Sequence, residues 1–306
     1  MAEPGHVSNS SQSSEPARVF PEPEPEWEQA IDLWGTVVWG FHQYGIGSLF
    51  FLLALSSLGS IIRTVASKRE SKQKMVSLVL LALGTVYGTA RGISLCIDAY
   101  SHKKALPAFV ENLLWGIAQP CLVTGYTLFF IVVRNALTLK GRFQAWFTTR
   151  NILLVGSLPY LGIVIISELL VTFAPSHAIV SFVCQLIYTV INFALSLFYF
   201  TLARQLNFKF GTNNRAAQRA SGRRMVFFRC ACVAVAAGGL ALSAAQVYAM
   251  SGEFSVFSRA RFVAAWPWFG FNTAVRVLEL YLSVVLLVLA SYQGNRSAVE
   301  EAREGN

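Results

Sequence analysis

Seven stretches of this chain are long and apolar enough to cross a bilayer, and that feature settles most of what it can fold into. A helix needs about 20 mostly apolar residues to span the hydrocarbon core. The spacing predicts spans over roughly residues 37–62, 75–97, 108–133, 151–173, 178–202, 225–250 and 262–292. The apolar runs are continuous rather than alternating, which excludes a transmembrane barrel. In lipid each segment must satisfy its own backbone N–H and C=O groups, so the spans are helices. Only 13% of residues are charged, against about 25% in an ordinary globular chain. Mean hydropathy is +0.50. A water-soluble domain is excluded, and five cysteines in 306 residues are too sparse for a disulfide scaffold.

The charges that remain are distributed by side. Seven acids precede residue 33 and three close the chain (Glu300, Glu301 and Glu304). The loops after the first, third and fifth spans hold fifteen basic residues, among them Arg63, Lys68, Arg69, Lys140, Arg142, Arg215, Arg219, Arg223 and Arg224. The opposite side holds five: Arg18, Lys103, Lys104, Arg259 and Arg261. By the positive-inside rule the amino terminus lies outside and the carboxyl terminus in the cytosol. The expected fold is an all-α integral membrane protein, a seven-transmembrane-helix bundle. The basic inner loops, the one between residues 204 and 224 above all, offer a surface to a cytosolic effector or to anionic lipid. Nucleic acid is excluded as a partner, because no RNA- or DNA-binding motif accompanies the charge.

Three regions are expected: a disordered Ser/Pro/Glu-rich extracellular tail (1–30), the membrane domain (31–292) and a short cytosolic tail (293–306). The first thirty residues cannot bury a core. No basic region followed by an apolar run opens the chain, so the first helix is expected to serve as the targeting signal. Asn9-Ser10-Ser11 is a glycosylation sequon on the expected outer side; Asn295-Arg296-Ser297 should be cytosolic and unused.

Ionisable residues inside spans cost about 2.5–3.5 kcal/mol each on insertion scales, and so point to function or to pairing. Five stand out: Arg91 in the second span, Glu111 near the start of the third, Glu168 in the fourth, and Arg276 and Glu279 in the seventh. The last two are three residues apart and share a helical face. Two readings follow. The five line a cavity open to the outside and contact a ligand, or they form ion pairs joining the second, third, fourth and seventh helices. Glu111 also lies close enough to the interface to snorkel. Asp98 adds an acid at the end of the second span. Trp266 and Trp268 flank Pro267 at the outer mouth of the seventh helix, where an aromatic belt is the ordinary explanation.

Cys230 and Cys232 sit just inside the sixth span behind Arg223, Arg224 and Arg229. They are candidates for palmitoylation or for plain packing. Cys96 and Cys121 fall at different depths and are not expected to pair. Ala234/Gly238 and Ala237/Ala241/Ala245 form two small-residue rows on the sixth helix, which allow close packing in the bundle or against a second copy.

Seven spans with this orientation is the topology of G-protein-coupled receptors, yet rhodopsin-like signatures are missing. The third span ends Val132-Val133-Arg134-Asn135 with no acid before the arginine, and the seventh has no Asn-Pro-x-x-Tyr. More specific are WEQAIDLWGTVVWG (27–40), RGISLCIDAY (91–100), LLWGIAQPCLVTGYTLF (113–129), AAQVYAM (244–250) and WPWFGFNTAVRVLELYL (266–282). Together these resemble the membrane domain of the proline-rich transmembrane protein family, types 3 and 4, over roughly residues 27–292. The resemblance implies a multi-pass membrane protein without an established biochemical activity. Such proteins usually carry a long proline-rich region before the membrane domain; here that place holds only the Pro-Glu stretch at 21–26.

No metal, phosphate-loop or nucleophile motif is present, so no cofactor, metal or enzymatic activity is expected. The leading expectation is a receptor-like, signalling-associated protein, for which the sequence names no ligand. A channel or transporter with a polar path through the bundle is the alternative, and a membrane scaffold or adhesion protein a third.

Overall fold

The computed structural model describes residues 24–66, 72–136, 148–173, 178–210, 218–251, 254 and 262–304. Seven helices, each long and apolar enough to cross a membrane, account for nearly all of them, with no strand among the described residues. They are α1 (Trp27–Ala66), α2 (Lys72–Asp98), α3 (Ala108–Ala136), α4 (Thr149–Asn151 running on through Ile152–Ser157 and Leu158–Phe173), α5 (Ala178–Phe210), α6 (Gln218–Ser251) and α7 (Ala265–Glu304). Each helix packs on its chain neighbours, and α7 closes the ring against α1 and α2. α3 also touches α5 and α7, which makes it the innermost helix. Its Ala118, Tyr126, Leu128, Phe129, Val132 and Val133 are fully buried. Around the rim, large apolar side chains such as Leu52, Leu55, Ile163, Phe173, Val190 and Val288 face outward, as a lipid-facing surface requires. The protein is an integral, multi-pass membrane protein.

α1 begins at Trp27, ten residues before the expected start at 37, because 27–34 is itself amphipathic. Ala30 and Trp34 are buried, while Glu28, Gln29 and Asp32 are exposed. Gly35 then breaks the helix with φ +73° and ψ 155°, a conformation open essentially to glycine alone. A π-turn follows at Phe41–Gly45 and buries both His42 and Gln43. A second π-turn, Ile152–Ser157, precedes Pro159 in α4. The wider turn accommodates a residue that donates no N–H to the helical ladder. α7 runs on as helix through 304, where Ala, Glu and Arg are strong helix formers.

Small residues set the tightest approaches. Gly84, Gly88 and Gly92 recur every fourth residue on α2 and face α1; a Cβ at Gly88 would lie 2.7 Å from the Phe50 carbonyl oxygen. The two rows on α6 have different fates. Gly238 packs on Tyr281 and Leu282 of α7, and the Tyr281 hydroxyl donates to the Ala234 carbonyl over 3.3 Å. Ala237 and Ala241 are exposed on the outer face of the bundle. All five cysteines are free thiols.

Candidate functional site

At the end of the bundle where α2 passes into α3, the helices part around a cavity of about 180 Å³. Arg91, Glu111, Glu168, Arg276 and Glu279 all line it, so four helices deliver their ionisable residues to one place.

The geometry follows from helix direction. Side chains lean toward their helix N-terminus. α7 starts at the cavity end, so Arg276 and Glu279 lean up toward the mouth; α2 ends there, so Arg91 leans down to meet them. Arg91 Nη2 donates to Glu279 Oε1 at 3.0 Å. Arg276 Nη1 donates to the other carboxylate oxygen, Oε2. One carboxylate thus bridges two guanidiniums, and all three groups are buried. Trp115 of α3 packs against both cations, with Arg91 4.3 Å and Arg276 4.5 Å from the ring centroid. Desolvated contacts of this kind are worth about 2 kcal/mol each. Even so, Arg91 Nε and Nη1 and Arg276 Nε have no hydrogen-bond partner among the described residues.

The remaining acids play different parts. Glu111 is 0% exposed and accepts from the Ser101 hydroxyl, so it does not snorkel to the interface as its position allowed. Glu168 of α4 lies against Gly116, where an added Cβ would come within 2.9 Å of its Cγ. It makes no ion pair with any described residue. Asp98 stands apart from the cavity. Its carboxylate accepts from the Lys103 and Ala105 backbone N–H groups at 2.9 and 2.6 Å, tying the loop between α2 and α3. That loop holds three residues at positive φ: Tyr100 (58°), Ser101 (57°) and Lys104 (53°). Such conformations cost of order 1–3 kcal/mol each and persist only where the surroundings enforce them. Here they swing Tyr100 into the cavity wall and the Ser101 hydroxyl onto Glu111.

An aromatic cluster roofs the site. Trp34 stacks between Trp39 (5.3 Å) and Trp268 (5.9 Å), and Trp27 meets Trp268 edge-on at 5.2 Å. His42, presented by the π-turn, bonds Thr273 Oγ1 at 2.8 Å and the Tyr100 hydroxyl at 3.1 Å. The expected pair of mouth aromatics divides: Trp268 is 3% exposed and lines the cavity, whereas Trp266 is 51% exposed and faces outward. Two residues on a helix are about 200° apart, which explains the split. Glu24 also reaches the cavity, held by its carboxylate to Trp27 Nε1 (2.8 Å) and by its carbonyl to the Val263 N–H (3.2 Å).

Sequence reasoning missed the uncharged lining. Gln185 and Gln246 join α5 to α6 across 3.0 Å, and Asn112 joins α3 to α4 through Thr172 at 3.1 Å. Polar residues at matched depth on neighbouring spans carried that signal. Cys230 is exposed and Cys232 fully buried at the opposite end of the bundle, so only the former is accessible to acylation. Among the described residues no group of His, Cys, Asp or Glu is arranged to hold a metal. Asn9 and the basic loop segments 67–71, 137–147 and 211–217 lie outside the described residues.

Comparison with known proteins places this architecture. The mouse (Mus musculus) proline-rich transmembrane protein 4 is 28% identical over 279 residues, which are 88% of this chain and 30% of that protein. The human (Homo sapiens) protein of the same name is 36% identical over 105 residues, 34% of this chain and 11% of the relative. The chain therefore spans less than a third of the length of the relatives it matches. No solved structure matches it. The family model described as the proline-rich transmembrane protein 3 domain matches residues 11–303, and the chain belongs to that family.

Proposed function

We propose that the chain is a non-enzymatic, receptor-like membrane protein that binds a small ligand at its extracellular end and signals through its basic cytosolic face. The observation that carries this reading is the convergence of four glutamates and two arginines on one cavity above a closed floor. Beneath the cavity Tyr126, Phe129, Tyr199, Leu206 and Phe228 are buried to within 1%. A second void of about 20 Å³, beside Ser57, Tyr87 and Ser283, has room for about one water. A channel or transporter requires a polar path, and this half of the bundle offers packing instead. The fifteen-to-five split of basic residues supports the orientation, with the cavity outside.

The test sets flux against recruitment. In proteoliposomes the protein should pass no proton, sodium, potassium or chloride current above empty vesicles. In cells, Glu168→Gln should change which cytosolic proteins a C-terminal proximity label captures. A flux that Glu168→Gln abolishes overturns the receptor reading in favour of transport. Unchanged flux and unchanged capture, with normal surface expression, overturn it in favour of a scaffold.

A further inference from the structure

The cavity walls carry opposite charge, and this says what the site can hold. On the α2–α7 wall, two guanidiniums share the single carboxylate of Glu279. That wall keeps an excess positive charge, and three of its N–H-bearing nitrogens (Arg91 Nε and Nη1, Arg276 Nε) lack partners among the described residues. Arg91 is only 2% exposed, so water reaches it poorly. Buried donors of this kind are rare unless something completes them. Across the cavity, Glu168 projects from α4 beside Gly116, with no cation paired to it among the described residues. Gly116 directly follows Trp115, whose indole both arginines contact, so the walls meet within one small compartment. At about 180 Å³ it lies below the roughly 300–1,000 Å³ of drug-sized pockets. Val164, Cys184 and Trp268 add apolar surface between the walls.

We propose that this cavity binds a small zwitterion of free α-amino-acid size, its carboxylate on Arg91 and Arg276 and its ammonium on Glu168. This inference rests on the ligand-binding reading above and specifies its ligand. A simple carboxylate would satisfy the arginines but leave Glu168, an acid in a water-poor site, without a counter-ion. A simple amine would pair with Glu168 and leave the two-guanidinium wall without a second counter-ion. Four glutamates line the cavity against two arginines, so the ammonium group anchors the ligand and the carboxylate orients it.

The probes are glycine, L-leucine and L-phenylalanine, each as the free amino acid, its N-acetyl derivative and its amide. The purified full chain is melted in lipid nanodiscs with each at matched concentration, because a ligand of the folded state raises the melting temperature by mass action. At least one free amino acid should stabilise the protein, binding about tenfold or more tightly than its two derivatives, as expected for one charge-assisted contact. Glu168→Gln should remove the advantage over the N-acetyl form while leaving N-acetyl binding intact. Arg91→Lys, which keeps the charge on Glu279, should instead weaken the free acid and the N-acetyl form together. Derivatives that bind as well as the parent amino acid overturn the proposal, as does a zwitterion preference that survives Glu168→Gln. No response to any of the nine probes overturns the ligand class and leaves the receptor reading standing. Binding accompanied by amino-acid flux in proteoliposomes does the reverse.

Discussion

Arg91 and Glu279, 188 residues apart in the chain, meet as a buried ion pair with 3.0 Å between Nη2 and Oε1. The contact ties α2 to α7, and Arg276 completes it from within α7. Removing the shared carboxylate leaves two buried guanidiniums without their counter-ion. Loss of one partner from a buried pair costs about 3–5 kcal/mol. Glu279→Gln should therefore lower the melting temperature and folded yield sharply, and Glu279→Asp less so. A Glu279→Gln protein melting with the parent would show that Trp115 and the cavity hold the arginines unaided.

The two tryptophans flanking Pro267 should behave as opposites. Trp268→Ala removes a buried ring from the aromatic roof and should cost about 3–5 kcal/mol. Trp266→Ala removes an outward-facing ring and should cost under about 1 kcal/mol. Equal destabilisation, read by thermal melts of both variants, would contradict the described orientation of α7.

Glycine positions on α1 and α2 provide a paired control. Gly88→Ala forces a methyl against the Phe50 carbonyl and Ala54, an overpacking of about 1–3 kcal/mol. Gly59→Ala meets nothing within 4 Å, and should be neutral or slightly stabilising. Melting temperatures ranked the other way would mean that α1 and α2 sit further apart.

His102, in the loop between α2 and α3, gives a pH dependence. Burial pushes its pKa below the ordinary 6.5 and Lys103 adds to the fall; the Ala99 carbonyl and Asp98 oppose it. The unfolded chain therefore takes up the proton first. Stability is complete above pH 6.5 and declines as pH falls below it. His102→Gln should flatten the stability profile between neutral and mildly acidic pH. A profile unchanged by that substitution would place the acid sensitivity elsewhere.

How much of this was legible beforehand depends on the range of each interaction. The spans declare themselves by apolar length, and the Arg276–Glu279 pair by its three-residue spacing on one helix. Arg91 was legible as a buried charge, but its partner was not, because the pairing depends on how α2 and α7 register in space. Trp115 reads in sequence like any membrane aromatic; only its contact with two cations marks it. The Gly84/Gly88/Gly92 row went unread, because nothing local says that it meets α1 rather than lipid. The π-turn at Phe41–Gly45 carries no sequence signature, and it is what turns His42 and Gln43 inward.

Trp115 also reports on the charges around it. An indole's emission colour responds to the electric field across its ring, and this ring lies against two cations that share one anion. The protein thus carries a built-in optical voltmeter at its most charged point. Any event that protonates Glu279, draws a guanidinium aside or brings a new charge into the cavity should shift the fluorescence of that one residue. Read as the difference from a Trp115→Phe protein, the wavelength of its emission would follow the site in real time, without an added dye.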